Sequence, residues 1–192
     1  MNTTLINFLK NQLKWNITYI SSIEKIGGLS SENYKVYYNN SNYFVKICTH
    51  NYLHTDRKNE FLIINKAEEI NIAPNLYYFS TTTGNMVTSW INGTMPSLND
   101  FSSVKFLSKL VDSLGSFHNL KCKKYFDPFN HIRERINICK NLNLPIPESI
   151  DTLLDYLNTL EIKLSKTPLI GLCHNDLNAS NIILNNDSLY FV

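Results

Sequence analysis

Cys173–Leu184, CHNDLNASNIIL, is the stretch on which the reading of the fold turns. It carries His174, Asp176 and Asn181 in the spacing HxDxxxxN and runs straight into an apolar strand. An aspartate followed five residues later by an asparagine is the arrangement of a phosphotransfer loop. In such a loop the carboxylate takes the proton of an acceptor hydroxyl and the amide oxygen holds a magnesium ion. That spacing lets a tight loop turn both groups towards one transferring phosphate. Proton transfer of this kind contributes about 10²–10⁴-fold in rate. Magnesium prefers hard oxygen donors, so one protein ligand here implies others elsewhere. His174 is expected to brace the loop by hydrogen bonding, with a strand before the loop and a hairpin, 182–184 with 189–192, after it.

Upstream, the apolar period is two. Residues 17–26, 34–38 and 43–48 read as strands, the last two joined by the turn Asn39-Asn40-Ser41-Asn42. Between the first two lies Gly27-Gly28-Leu29-Ser30-Ser31-Glu32-Asn33. Glycines lack a Cβ, so such a turn can bring N–H groups and hydroxyls against a phosphate; the plainer alternative is a hairpin turn. Lys46 alternates with Val45 and Ile47 and shares a strand face with Phe44 and Cys48, an unusual place for an ammonium without a partner or ligand. A helix is expected over 57–70, with Glu60 near its start as the natural partner of Lys46; a strand lysine and helix glutamate position nucleotide phosphates in kinases. A surface lysine at a strand edge and a carboxylate favoured by the helix dipole are the alternatives.

Two more strands, 75–80 and 86–91, would complete a five-stranded antiparallel lobe. Gly93 and Pro96 break regular structure after it, so a hinge is expected at 89–93, with a nucleobase near Ser89, Trp90 and Ile91. Residues 1–91 then form a nucleotide-binding lobe and 94–192 a helical catalytic lobe. A leading helix is expected over 4–14. Beyond Pro96 the period returns to 3.6. Val104, Leu107, Leu110, Val111, Leu114 and Phe117 make one stripe capped by Ser102 or Ser103. A helix over about 130–140 comes next, and then a second long stripe from Ile150 to Leu164. The fold class is α+β.

The chain is long enough, at 192 residues, for one domain or two small lobes. A formal charge of +2 with scattered basic residues gives no pull towards nucleic acid. No apolar run approaches a membrane span, and the N-terminus lacks the pattern of a secretion signal. Cys48, Cys122, Cys139 and Cys173 form no CxxC pair, which suits thiols in a reducing, cytoplasmic compartment.

The ordered set of glycine turn, strand lysine, helix glutamate, hinge and HxDxxxxN resembles the protein-kinase-like small-molecule kinases. Within them CHNDLNASNIIL looks like the choline/ethanolamine kinase family more than the aminoglycoside phosphotransferases, whose loop usually reads HGD. IGGLSSENYKV at 26–36 and FDPFNHIRERI at 126–136 are similar to segments of the same family. The resemblance implies ATP and Mg2+ as cofactors and a small amino-alcohol as substrate. It implies Asp176 as base, Asn181 as metal ligand, Lys46 as phosphate lysine and Glu60 as its partner, with Ser30, Ser31 and Asn33 over the phosphates. It also implies an Ile-Asp-Phe or Ile-Asp-Trp motif directly after 189–192, bearing the main metal ligand, and further helices beyond. The expectation is therefore a C-terminally truncated kinase whose helical stripes are partly uncovered, offering a homodimer surface. A nucleotide-binding or partner-binding module without catalysis, and an aminoglycoside or sugar-alcohol kinase, are the alternative functions.

Overall fold

The computed structural model describes residues 3–28, 31–49, 56–122, 126–166 and 171–192. They form two compact units, residues 1–121 with 172–192, and residues 122–171.

The first unit opens with helix α1 (Thr3–Asn7), which widens into a π-helical turn (Phe8–Gln12). The Asn16 side chain accepts the Thr18 N–H and closes a 3-10 turn over Ile17–Tyr19. That Asn-led turn delays the first strand, expected from residue 17. Strands β1 (Ile20–Gly27), β2 (Ser31–Tyr38) and β3 (Ser41–Cys48) come next, then helix α2 (Arg57–Glu69) and strands β4 (Leu76–Phe79) and β5 (Met86–Ser89). They pair antiparallel in the order β1-β2-β3-β5-β4. Asn39 and Asn40 both take positive φ, the left-handed geometry a two-residue hairpin needs.

Strand alternation sorts the sheet's faces. Tyr34, Val36, Val45, Ile47 and Val87 are buried with Leu5, Phe8 and Leu9 of the leading helix in one apolar core. Trp15 stacks on Tyr38 at 4.1 Å and 4° to extend it. The opposite face carries Asn33, Lys35, Phe44 and Lys46, all only half-buried.

A second core joins α2 to one long helix and a hairpin that lie beyond β5 in the chain, with a short helix leading into the long one. Helix α3 (Leu98–Phe101) has a reciprocal Ser97–Asp100 capping box, and Ser103 caps α4 (Val104–His118) by accepting the Phe106 N–H. Strands β6 (Ile182–Asn185) and β7 (Ser188–Phe191) form the hairpin. Ala67, Ile72, Ala73, Phe106, Phe117, Ile182, Leu189 and Phe191 are buried together there.

The second unit holds α5 (Pro128–Asn141) and α6 (Ile150–Leu164). Asp127 caps α5 through the Phe129 and Asn130 N–H groups, with Pro128 at the first helical position, so the helix begins two residues earlier than its apolar pattern suggests. Neither helix buries a residue: Leu153, Leu160 and Leu164 remain 54%, 49% and 60% exposed. Arg133 pairs with Glu161 and donates to Asn158 Oδ1 at 2.7 Å. Among the described residues no helix is long and apolar enough to cross a membrane, and no cluster of three metal-ligating acids, histidines or cysteines occurs.

Candidate functional site

At the end of β1, Gly27 and Gly28 take φ of +105° and +119°, a region that side chains rarely enter. A Cβ on Gly28 would run into the carbonyl oxygen of Ser31 and press on the Asn33 amide, so only glycine allows this close return. Ser31 is buried at the start of β2 and donates its hydroxyl to Asn33 Oδ1 at 2.9 Å. Ser30 lies outside the described residues. Lys25 pairs with Glu32 at 2.6 Å across this turn, and Tyr34 donates to the other Glu32 oxygen at 3.0 Å.

Register places Lys46 of β3 opposite Asn33 of β2 and Met86 of β5. The sequence-level expectation that Glu60 pairs with Lys46 is not what the structure shows. Glu60 Oε2 receives Arg57 Nη1 at 2.6 Å, from one turn earlier on α2, and Lys46 forms no ion pair among the described residues. A planar guanidinium already fixed on the same helix takes one Glu60 oxygen. Sequence reasoning passed over Arg57; its only signal was the three-residue spacing to Glu60 at a helix start.

The segment after β5 is tied in at both ends. Ser89 N–H donates to Asn75 O at 2.8 Å and Trp90 N–H to Asn42 O at 3.1 Å. Thr94 exchanges two main-chain hydrogen bonds with Leu184, at 2.9 and 2.8 Å. Gly93 permits that approach, since a Cβ there would strike Leu184 O. Ile91, between these ties, is half-buried, and the Lys35 ammonium lies 4.6 Å from the centre of the Trp90 ring, a cation–π contact the sequence did not signal.

Within Cys173–Leu184, three asparagines shape the backbone. Asn175 takes a left-handed φ of +63°, and Asn178 accepts the Ser180 N–H to start a 3-10 turn over Ala179–Asn181. Asn181 Nδ2 donates to Asp176 O at 2.7 Å and to Asp176 Oδ2 at 3.1 Å, while Asn178 Nδ2 donates to Asp176 Oδ1 at 3.1 Å. The Asp176 carboxylate is thus aimed by two neutral amides and stays exposed. Val192 N–H donates to Asn181 O at 3.0 Å, anchoring the loop beside the end of β7. The strand expected before the loop does not form over Gly171–Cys173, and residues 167–170 lie outside the described set.

His174 also departs from expectation. Its Nδ1 is buried without a hydrogen-bond partner among the described residues, and the ring lies 6.3 Å from Phe117 and 6.0 Å from Phe191, centre to centre. It braces the loop by packing, because the side chain is directed into the aromatic part of the second core. Burial lowers its pKa, against a smaller upward pull from Asp176.

The chemistry of the donors suits a hard divalent cation. With the Asn181 NH2 turned to Asp176, its Oδ1 is the remaining neutral oxygen beside an exposed carboxylate.

Compared with known proteins, residues 20–192 match the family model for choline/ethanolamine kinase. No curated protein matches the chain. Among solved structures, an ethanolamine kinase of Plasmodium vivax aligns at a TM-score of 0.78 and 19% identity, over 99% of this chain and 60% of that one. The choline kinase LicA from Streptococcus pneumoniae, in complex with AMP, aligns at 0.76 and 20%, over 98% and 66%. A choline/ethanolamine kinase family protein from Mesorhizobium loti aligns at 0.73 and 18%, over 98% and 62%. At these identities the likeness is one of fold. The chain spans 60 to 66% of the length of these three structures.

Proposed function

The chain belongs to the choline/ethanolamine kinase family, and from that premise we propose that it moves the γ-phosphoryl group of ATP, with Mg2+, onto the hydroxyl of a small amino-alcohol, choline or ethanolamine. The observation that carries this reading is the fixed pair Asp176–Asn181: two amides orient the carboxylate, and one of those amides keeps an oxygen for a metal.

In the proposed reaction Asp176 accepts the proton of the substrate hydroxyl as that oxygen forms its bond to phosphorus. The bond between phosphorus and the leaving ADP oxygen breaks, and ADP departs. Asn181 Oδ1, beside the Asp176 carboxylate, would hold a magnesium ion, whose charge when bound offsets the charge building on the phosphates. Gly27, Gly28, Ser30, Ser31 and Asn33 are the proposed phosphate turn, with Lys46 opposite Asn33 as the phosphate lysine. Ser89, Trp90 and Ile91 are the proposed nucleobase edge; Ser89 and Trp90 donate their N–H groups elsewhere, so Ile91 is proposed as the N–H donor of that edge. His174 is given a packing role in the loop. We take 1–91 as the nucleotide lobe and 94–192 as the catalytic portion, working in the cytoplasm where ATP is supplied.

Titrating the chain with ATP, with and without Mg2+, and following phosphoryl transfer to choline, ethanolamine and an aminoglycoside tests the reading. Phosphocholine or phosphoethanolamine is the expected product. Transfer to the aminoglycoside alone would move the substrate assignment, ATP binding without any product would make the chain a nucleotide-binding module, and absence of ATP binding would overturn the reading.

A further inference from the structure

We propose that Arg57 is a positioning residue for the nucleotide lysine: it grips one oxygen of Glu60 so that the other is presented to Lys46. This inference rests on the nucleotide site proposed above and adds a residue to it.

Arg57 opens α2 with only 11% of its side chain exposed. A guanidinium so enclosed needs a charged partner, because desolvation without one is costly. Glu60 Oε2 supplies it at 2.6 Å. Nη2 reaches the other way and lies 3.9 Å from Cys48 Sγ. Room for the guanidinium comes from Gly84, where a Cβ would collide with the arginine head. Cys48 is held in turn, its N–H donating to Asn85 Oδ1 at 2.9 Å. The arginine therefore pins the first turn of α2 to the end of β3 and to the β4–β5 turn.

Cys48 stands two residues beyond Lys46 on the same half-buried face of β3, about 7 Å along the strand. Glu60 is thus delivered to the end of the strand that carries the lysine. Glu60 Oε1 accepts no hydrogen bond among the described residues and retains its lone pairs. Lys46 has a flexible four-carbon stem and no ion pair of its own among those residues. When Lys46 draws towards a bound phosphate, the unused Glu60 oxygen can serve it as a counter-charge. The planar fork of Arg57 sets which way that oxygen faces, a task a single ammonium performs poorly.

Calorimetric titration of the full chain with MgATP is the test, on wild type, R57Q, E60Q and the double variant, with thermal melting followed alongside. If Arg57 acts through Glu60, each single change weakens ATP binding about tenfold, and the double variant binds no more weakly than E60Q alone. R57K, which keeps charge but loses the fork, should recover part of the R57Q loss in the wild-type background and none in E60Q. Losses that add, or unchanged ATP affinity in R57Q, would overturn the proposal while leaving the kinase reading intact. Should R57Q fail to fold, R57K compared with and without E60Q carries the same test, and equal losses in both backgrounds would overturn it. Wild-type chain that binds no ATP would bring down both readings together.

Discussion

At Gly27 and Gly28 the chain is shaped by its main chain, whereas between Cys173 and Asn181 it is shaped by side-chain amides. In the first loop two positive-φ glycines allow a carbonyl to approach where a Cβ would stand. In the second, Asn178 and Asn181 donate to both oxygens of one carboxylate. The difference separates the kinds of change each tolerates. A loop held by backbone geometry fails when a side chain is added; a loop held by a network fails when a polar atom is exchanged without any change of volume.

The sharpest break of this comparison is Asp176→Asn, which keeps volume and removes the base. Turnover measured by steady-state kinetics should fall about 10²–10⁴-fold, with ATP affinity little altered. Equal loss of both would mean that the loop is a structural prop. Next in size is Asn181→Ala, which removes the candidate metal oxygen and one of the donors to Asp176. The magnesium concentration that supports half-maximal rate should rise at least about tenfold, and an unchanged requirement would remove Asn181 from the metal. For the backbone-shaped loop, Gly28→Ala should cost about 1–3 kcal/mol in chemical denaturation, since φ near +119° is strained for alanine and its methyl meets Ser31 O. Unchanged stability together with unchanged ATP binding would show that the turn relaxes freely, and the contrast between the loops would dissolve.

The smallest effect is that of pH on His174. Burial lowers its pKa in the folded chain, so the unfolded chain binds more protons once pH falls below about 6.5. Its influence is absent above that value and becomes a loss of stability as pH drops towards the folded pKa. Melting temperature should therefore decline on acidification more steeply in wild type than in His174→Gln; parallel profiles would mean that the imidazole is not held neutral by its aromatic surroundings.

Helices α4 and α6 show how far periodicity carries. Both are written with a leucine-rich stripe, and both form where the 3.6 period lies. Yet α4 buries Phe106 and Phe117 against β6, β7 and α2, while α6 buries nothing. The stripe specifies a helix with an apolar side, not the surface that will cover it. Strand alternation was more informative. Tyr34, Val36, Val45 and Ile47 alternate with polar or half-buried neighbours, and every one of them reached the core.

Local physics therefore lay in the sequence itself: period two or 3.6, asparagine and glycine where φ turns positive, capping serines and aspartates, and the five-residue interval from Asp176 to Asn181. Each of these is settled by atoms a few residues apart. The reach of Arg57 to Cys48, the apolar seat of His174 and the docking of Thr94 on Leu184 were decided by tertiary structure alone. What a guanidinium meets beyond its own helix, and whether an imidazole nitrogen meets a partner, depend on distances between separate elements, and those distances exist only once the cores have packed.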